Sequence, residues 1–518
     1  MDKEAGSSSF QIKANEPPGH DIFCTPENSN FFSKVHYQDL NSNDRDIRLL
    51  KILPDSGSGL VEGELLPSVR LADVRKQYLA LSYCAGNPRN TKTITDDLLL
   101  WVDQICINQA NLAERSHQVG FMRDIYQNSK DTLICLSVSE TEGHGMKWFI
   151  ELEQDLIQHL LKEHSHESGA DGWIAFFHIL KSPWWDRAWV FQEFMVSSRV
   201  IFLFGRHSIS YDKMLAFLVG ICIVTHNSLS ETSSPGYEPF KRLLERSQYS
   251  LEEIEKAVSK VYSMNIAKGK WVQDAGLKNL LVYNSSSQAS DPRDKIYSVL
   301  GLAHPGYGIV PNYSPENDAD KVLVETTRKI IMCEDSLNVL TYLDHSTPHY
   351  NNEDGLPSWV VNWMSNINTY EYTHGSSIMK SITGYVGHHV KAEKADASFS
   401  QLPHPEHPER ITTALEVWGV FLDDDIQKTT LDTVYKGSRD HSILAERYAI
   451  ESSDELWILC GALEPFLLRK CQGGYRLVIG VQCLELLSDL TKGEFKDFVD
   501  GAGDLDMRKM ELTRIRIF

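Results

Sequence analysis

Short, nearly continuous apolar runs recur through the first 210 residues, each bounded by polar or turn-forming stretches. The runs are IRLLKIL (47–53), YLALSY (78–83), LLLWVDQI (98–105), TLICLS (132–137) and VIFLF (200–204). Their β-branched and aromatic content, and their shortness, predict strands rather than core helices. Between the third and fourth runs lies NQANLAERSHQVGFMRDIYQNSK. There Asn108 or Asn111 can cap a helix with Glu114 in its first turns, and Val119, Met122, Ile125 and Tyr126 fall on one face. Strand, loop, helix and strand in that order is the alternation of a parallel α/β sheet. Strands are expected near 79–83, 100–105, 132–137 and 200–204, in one sheet.

The pattern changes further along. Residues 143–180 read as mainly helical, 241–262 and 270–283 as amphipathic helices, and 291–302 as a helix capped by Asp291 with Pro292 in its first turn. Residues 365–410 lack periodicity and are rich in His, Ser and Pro, which reads as loop. From 411 onward, LEVWGVFL, DELWILCG, PFLLRK and YRLVIGVQCL are strand-like. The expected organisation is a disordered leader (1–40), an α/β domain (41–210), a helical region (211–364), a loop region (365–410) and a small β-rich C-terminal module (411–518).

Composition narrows the function classes. The chain has 518 residues, 42% of them hydrophobic, and a formal net charge of −20. That charge, with no basic run interleaved with aromatics, argues against nucleic-acid binding, which needs clustered Lys and Arg at phosphates. Nine cysteines are scattered without CxxC spacing, which reads as reduced thiols rather than a disulfide framework or zinc site. His159, His164 and His166 lack an accompanying carboxylate pattern and read as a solvated helix end, so no metal is expected. The first residues carry no apolar segment of a secretory signal, and the longest apolar run, 214–226, is shorter than a membrane span. A cytoplasmic protein without a membrane span is expected.

The densest chemistry lies in SPWWDRAWVFQEF (182–194), where three tryptophans surround an Asp-Arg pair and a Gln-Glu pair. Aromatic bodies this dense read as core, and a carboxylate among them has its protonation dictated by its surroundings. On a helix, Trp189 and Glu193 share a face. Two readings of Glu193 stand: a member of a buried ion-pair network with Asp186 and Arg187, or a functional carboxylate. Cys106 has no histidine close in sequence and reads as an inert buried thiol.

Several ordered blocks also resemble the signature blocks of the fungal heterokaryon-incompatibility (HET) domain: IRLLKILP, YLALSYCAG, WVDQICINQ, the ER..QV..M..IY helix, RAWVFQE, DPRDKIYSVLGLA and LPSWVVNW. The resemblance implies a role in allorecognition and programmed cell death, exercised through protein partners or self-assembly, with no cofactor required. The HET domain is similar to the Toll/interleukin-receptor (TIR) fold, a flavodoxin-like parallel sheet with flanking helices. On that likeness Glu193 stands where NAD-cleaving TIR domains carry their catalytic glutamate, which makes NAD a possible substrate. Ser82, Tyr83, Asp103, Gln104, Ser137 and Trp189 are then the candidate pocket residues. A degenerate, inactive relative is the third reading. Asp186, Arg187, Asp291, Arg293, Asp294 and Trp359 read as structural, the later Asp and Arg residues as a helix cap with an ion pair and Trp359 as a packing anchor. One departure stands out. Residues 87–97, NPRNTKTITDD, are too few and too polar for a packed crossover helix, where the family carries additional strand and helix.

Overall fold

The computed structural model describes residues 37–41, 44–53, 63–83, 98–137, 167–204, 207–216, 218, 244–270, 275–343, 356–365, 394–431, 433–445, 450–487, 497 and 505–518. The chain divides into two compact units, residues 1–143 with 197–211, and residues 144–196 with 212–518.

In the first unit a small antiparallel pair, β1 (Asp46–Ile47) and β4 (Val69–Arg70), accompanies a seven-stranded sheet. That sheet contains β2 (Leu50–Ile52), β3 (Gly63–Leu65), β5 (Leu79–Tyr83), β6 (Leu98–Trp101), β7 (Thr132–Ser137), β8 (Val200–Phe204) and β9 (His207–Ser210), in the order β3-β2-β6-β5-β7-β8-β9. The central pairs β6–β5, β5–β7 and β7–β8 are parallel, and the outer pairs are antiparallel. The four expected strands therefore share one sheet. Burial alternates along β7 and β8, so one face of these strands packs deeply while the other is half-buried. Thr132 and Ser197, both buried, exchange a hydroxyl hydrogen bond of 2.6 Å at the base of β7.

Two local expectations are corrected. Strand β6 ends at Trp101, and Asp103 opens a helical turn, α1 (Asp103–Cys106). The turn forms because the Cys106 amide returns to the Val102 carbonyl, 2.7 Å away. The next helix is broken in two, α2 (Leu112–Gly120) and α3 (Met122–Asn128), where Phe121 leaves helical geometry at φ −128° and ψ 20°. Asn111 is the cap of α2, its Oδ1 accepting from the Glu114 amide at 3.1 Å. The short connection that departs from the family pattern lies outside the described residues, yet β5 and β6 are adjacent and parallel, with Leu79 opposite Leu100.

The second unit begins with α4 (Glu167–Leu180), a 3-10 turn over Pro183–Asp186, and α5 (Ala188–Val196). Around α5 pack α6 (Leu251–Lys270), α7 (Leu277–Asn284) and α8 (Asp294–Leu300), followed by α9 (Ala319–Glu334). A reciprocal cap starts α6: the Ser250 amide donates to Glu253 Oε2 at 2.9 Å and the Glu253 amide to Ser250 Oγ at 3.2 Å. Helix α8 starts three residues later than expected. The Asp291 carboxylate instead accepts from the Arg293 amide at 3.0 Å and ion-pairs with its guanidinium at 2.8 Å, closing a turn before the helix.

The C-terminal part is β-rich. It comprises β10 (Ser398–Pro403), β11 (Ile411–Asp423), β12 (Gln427–Lys428), β13 (Val434–Lys436), β14 (Ser442–Leu444), β15 (Asp454–Leu459), β16 (Phe466–Cys471), β17 (Gly474–Gly480), β18 (Gln482–Cys483) and β19 (Thr513–Ile517). Strand β10 falls inside the stretch read as loop. Its residues, SFSQLP, carry little apolar pattern of their own and are held by the β11 ladder. The ladder β11-β15-β16-β17-β19 returns to β11 and closes into a barrel. At Gly419, β11 passes from partner β19 to partner β15, and a Cβ there would stand only 3.0 Å from the Ile458 carbonyl. Strands β12, β13, β14 and β18 form a second sheet whose Tyr435, Ile443 and Cys483 share a core with Leu422, Leu456 and Leu467 of the barrel. The LPSWVVNW block is docked on the barrel. Ser358 Oγ donates to the Phe518 carbonyl and accepts from the Leu477 amide at 2.9 Å, and the Trp359 indole donates to the Thr413 carbonyl at 3.0 Å.

Two outcomes follow from this packing. Trp184 and Trp185 are 0% and 1% exposed and meet Phe194 edge-to-face, whereas Trp189 is only partly buried. Trp184→Ala is expected to cost ~3–5 kcal/mol in chemical denaturation and Trp189→Ala clearly less. The second concerns Glu464, whose carboxyl lies over the backbone of Gly480 and is pushed up to about 7 by burial. Its ionisation opposes folding, so the penalty is absent below the unfolded carboxyl value, grows as pH rises from there, and is complete above the folded one. Glu464→Gln should leave stability unchanged at pH 4 and raise it at pH 8 by on the order of 2 kcal/mol, read from urea melts at the two pH values.

Candidate functional site

In the first unit the parallel order reverses between β5 and β7, the kind of switch point at which open α/β sheets leave a crevice beside their carboxyl ends. Ser82 and Tyr83 end β5, Ser137 ends β7, and Asp103 and Gln104 follow β6. Ser82 is buried and the other four are half-buried. The Tyr83 hydroxyl donates to Gln104 Oε1, which ties the β5 end to α1. The Asp103 carboxylate accepts from the Gln104 amide at 2.8 Å, and its carbonyl accepts from Gln109 Nε2 at 2.9 Å. Asp103 thus holds the turn that carries the CINQ sequence.

That turn is fixed from beneath by a residue the sequence pattern concealed. Arg48, in the apolar run IRLLKIL, is 2% exposed. Its Nη1 donates to Glu114 Oε1 at 2.6 Å and to the Cys106 carbonyl at 3.0 Å, and its Nη2 donates to Glu114 Oε2 at 3.0 Å and to the Gln38 carbonyl. Glu114 Oε1 also accepts from the Asn108 amide at 2.8 Å. Tyr37 lies 5.0 Å from the guanidinium, and its hydroxyl donates to the Ile105 carbonyl at 3.1 Å. Each group between Ile105 and Asn108 that meets these side chains is thereby assigned a partner. The only sequence signal was the ER pair at the start of α2. Burial pushes the Cys106 thiol up to about 12, which favours its neutral form.

The second unit holds the tryptophan-rich segment. Helix α5 carries Glu193, 2% exposed, and Trp189 one turn earlier. Beside Glu193 stands Gln192, 1% exposed, and among the described residues neither of its amide atoms has a hydrogen-bond partner. Leaving such a group unsatisfied costs ~1–3 kcal/mol, so buried amides of this kind call for a reason. The carboxyl end of α5 is closed by Lys268, whose ammonium donates to the Phe194 carbonyl at 2.6 Å and the Met195 carbonyl at 3.3 Å. Burial pushes that ammonium down to about 8. A cation at a helix C-terminus also meets the negative end of the helix dipole.

The residues read as structural make the following contacts. Asp186 is ion-paired to Lys260 at 2.5 Å with its carboxylate 49% exposed, so it is a surface partner rather than a buried one. The backbone of Arg187 bridges that of Gln288. Arg293 reaches the Ser314 and Asn317 carbonyls at 3.2 and 2.8 Å, and the buried Asp294 accepts from the Tyr313 hydroxyl. Trp359 is 0% exposed. Among the described residues no group of three or more His, Cys, Asp or Glu side chains is placed to hold a metal ion, and no helix is long and apolar enough to cross a membrane.

Comparison with known proteins fits the blocks on which these groups stand. Residues 90–193 match the family model described as heterokaryon incompatibility protein (HET). The chain is similar to heterokaryon incompatibility protein 6, OR allele, of Neurospora crassa, at 26% identity over 327 residues, which covers 53% of this chain and 46% of that protein. The chain therefore spans about half the length of the curated relative it matches. No solved structure matches it. The CINQ turn, the adjacent Glu114 and Arg115 of α2 and the Gln192–Glu193 pair of α5 all lie inside the segment that matches the HET family model.

Proposed function

We propose that this chain acts in fungal heterokaryon incompatibility, as a cytoplasmic protein that triggers programmed cell death through protein partners or self-assembly. The single observation carrying this reading is the HET match over residues 90–193, which includes the CINQ turn and α5 as far as Glu193. The similarity to heterokaryon incompatibility protein 6 supports it.

A second reading is favoured by the sheet. Numbered along the chain, its four parallel strands lie second, first, third and fourth, the order of flavodoxin-like folds, to which the TIR fold is similar. On this reading NAD is a substrate and Glu193 the catalytic residue. Ser82, Tyr83, Asp103, Gln104 and Ser137 are the candidate ligand-pocket residues of the first unit, and Trp189 is the candidate on α5 of the second. Cleavage of a nicotinamide–ribose bond passes through an oxocarbenium-like state that a nearby carboxylate stabilises. Gln keeps the shape of Glu but not the charge that such a state needs.

Expression of the full-length chain in a filamentous fungus should arrest growth or kill the cells, and a chain that leaves growth unchanged at verified expression would contradict the first reading. Glu193→Gln separates the two. If it folds, as judged by an unchanged thermal melt, and still kills, the NAD reading is wrong and assembly or signalling remains. If killing is lost together with nicotinamide release from NAD by the purified protein, the enzymatic reading holds.

A further inference from the structure

The connection between β10 and β11 reads PHPEHPERI (403–411), in which histidine precedes proline twice. Pro405 and Pro408 carry no amide hydrogen, so beyond His404 the turn's donors are the amides of Glu406, His407, Glu409 and Arg410. The base of the turn is closed by backbone: the His404 amide donates to the Arg410 carbonyl at 2.8 Å, and the Arg410 amide to the His407 carbonyl at 2.9 Å. Its first half is held by a side chain. His404 Nδ1 accepts from the Glu406 amide and from the His407 amide, each at 3.2 Å. The half-buried His404 ring lies 5.5 Å from the ring of His407, tilted by 30°. Little apolar packing supports this end of the hairpin, where Pro403 pairs with an Ile411 that is 64% exposed.

An imidazole nitrogen accepts a hydrogen bond only while it carries a lone pair. Two amides directed at Nδ1 therefore require a neutral His404 with its proton on Nε2. Protonation places an N–H on Nδ1 and sets a donor against two donors. The charges around the ring come from the turn and from β17. Arg476 of β17 is ion-paired to Glu406 at 3.4 Å, and His407 Nδ1 lies 3.6 Å from Glu409 Oε1. Burial acts most strongly against the imidazolium; Glu406 favours it, and His407, Arg476 and Arg410 oppose it, so the ring is held below the usual histidine range. A base whose folded value is lowered stabilises the closed turn fully above its ordinary value. That stability is lost as pH falls from there, and the loss is complete below the folded value.

We propose that the β10–β11 turn is a proton-operated latch, closed by neutral His404 and released when its ring is protonated, so that this end of the hairpin frays while the barrel stays closed through β11 and β19. The latch is independent of NAD cleavage and of cell killing. Asparagine offers a non-titrating comparison, since its Oδ1 accepts amides two and three residues ahead much as His404 Nδ1 does.

The test is millisecond-to-second deuterium labelling of the full chain at about pH 7.5 and about pH 5, with exchange scaled to the intrinsic rate at each pH. In the wild type, protection of the Glu406 and His407 amides should fall about fivefold or more at the lower pH. His404→Asn should keep that protection at both pH values, and His404→Ala should lack it at both. Amides of β15 and β16 should be equally protected throughout, which shows that the barrel is intact in each variant. As a second reading, the His404 ring resonance, assigned by its loss in His404→Asn, should titrate below the ordinary histidine value. Equal wild-type protection at the two pH values, a fall in His404→Asn matching that of the wild type, or a ring titration above the ordinary value would overturn the latch.

Discussion

The Arg48–Glu114 pair sets the geometry of the first unit's strand ends. Both side chains are nearly sealed from water, 2% and 8% exposed, and each meets the other through two hydrogen bonds. A buried ion pair gives little net stability over an apolar pair, because desolvating both charges offsets most of the attraction. Its value lies in direction. The guanidinium has bonds left for the Cys106 carbonyl, and the carboxylate has one left for the Asn108 amide. The turn after β6 therefore adopts one conformation, which in turn sets where Asp103 and Gln104 stand relative to the end of β5.

A comparable logic holds α5 in the second unit. The helix is almost wholly buried, with eight of its nine residues enclosed. Apolar packing alone would not specify its polar face. Lys268 binds its last carbonyls, and the Asn284 amide reaches the Ala188 carbonyl at 3.4 Å and Ser298 Oγ at 2.9 Å. Polar groups from two neighbouring helices, α6 and α7, thus orient a helix that tryptophan packing has already buried. Glu193 and Gln192 sit inside that frame, which is why neither behaves as an ordinary surface residue.

Much of the parallel sheet was legible because its strands are short apolar runs, with TLICLS and VIFLF forming strands as read. The helical turn at Asp103 was not, since WVDQI continues an apolar run and the turn is held by tertiary bonds from Arg48 to the Cys106 carbonyl and from Tyr37 to the Ile105 carbonyl. Arg48 was hidden for a related reason: flanked by Ile47 and Leu49, it looked like the polar phase of a strand, while its partner lies 66 residues away. Barrel closure through β11 and β19 joins segments about a hundred residues apart, and no local pattern announces such a pairing. The tryptophans were correctly read as core at Trp184 and Trp185. Periodicity on so short a helix could not tell that Trp189 faces partly outward.

The claim that the buried pair organises the strand-end turn is tested most directly by a double-mutant cycle on Arg48→Met and Glu114→Leu, read by chemical denaturation. Each single variant strands a buried charge and should cost ~3–5 kcal/mol, whereas the double variant should cost less than either one alone. Single costs that simply add in the double variant would contradict the account, because they would mean that the two residues act independently and that the turn is held by something else.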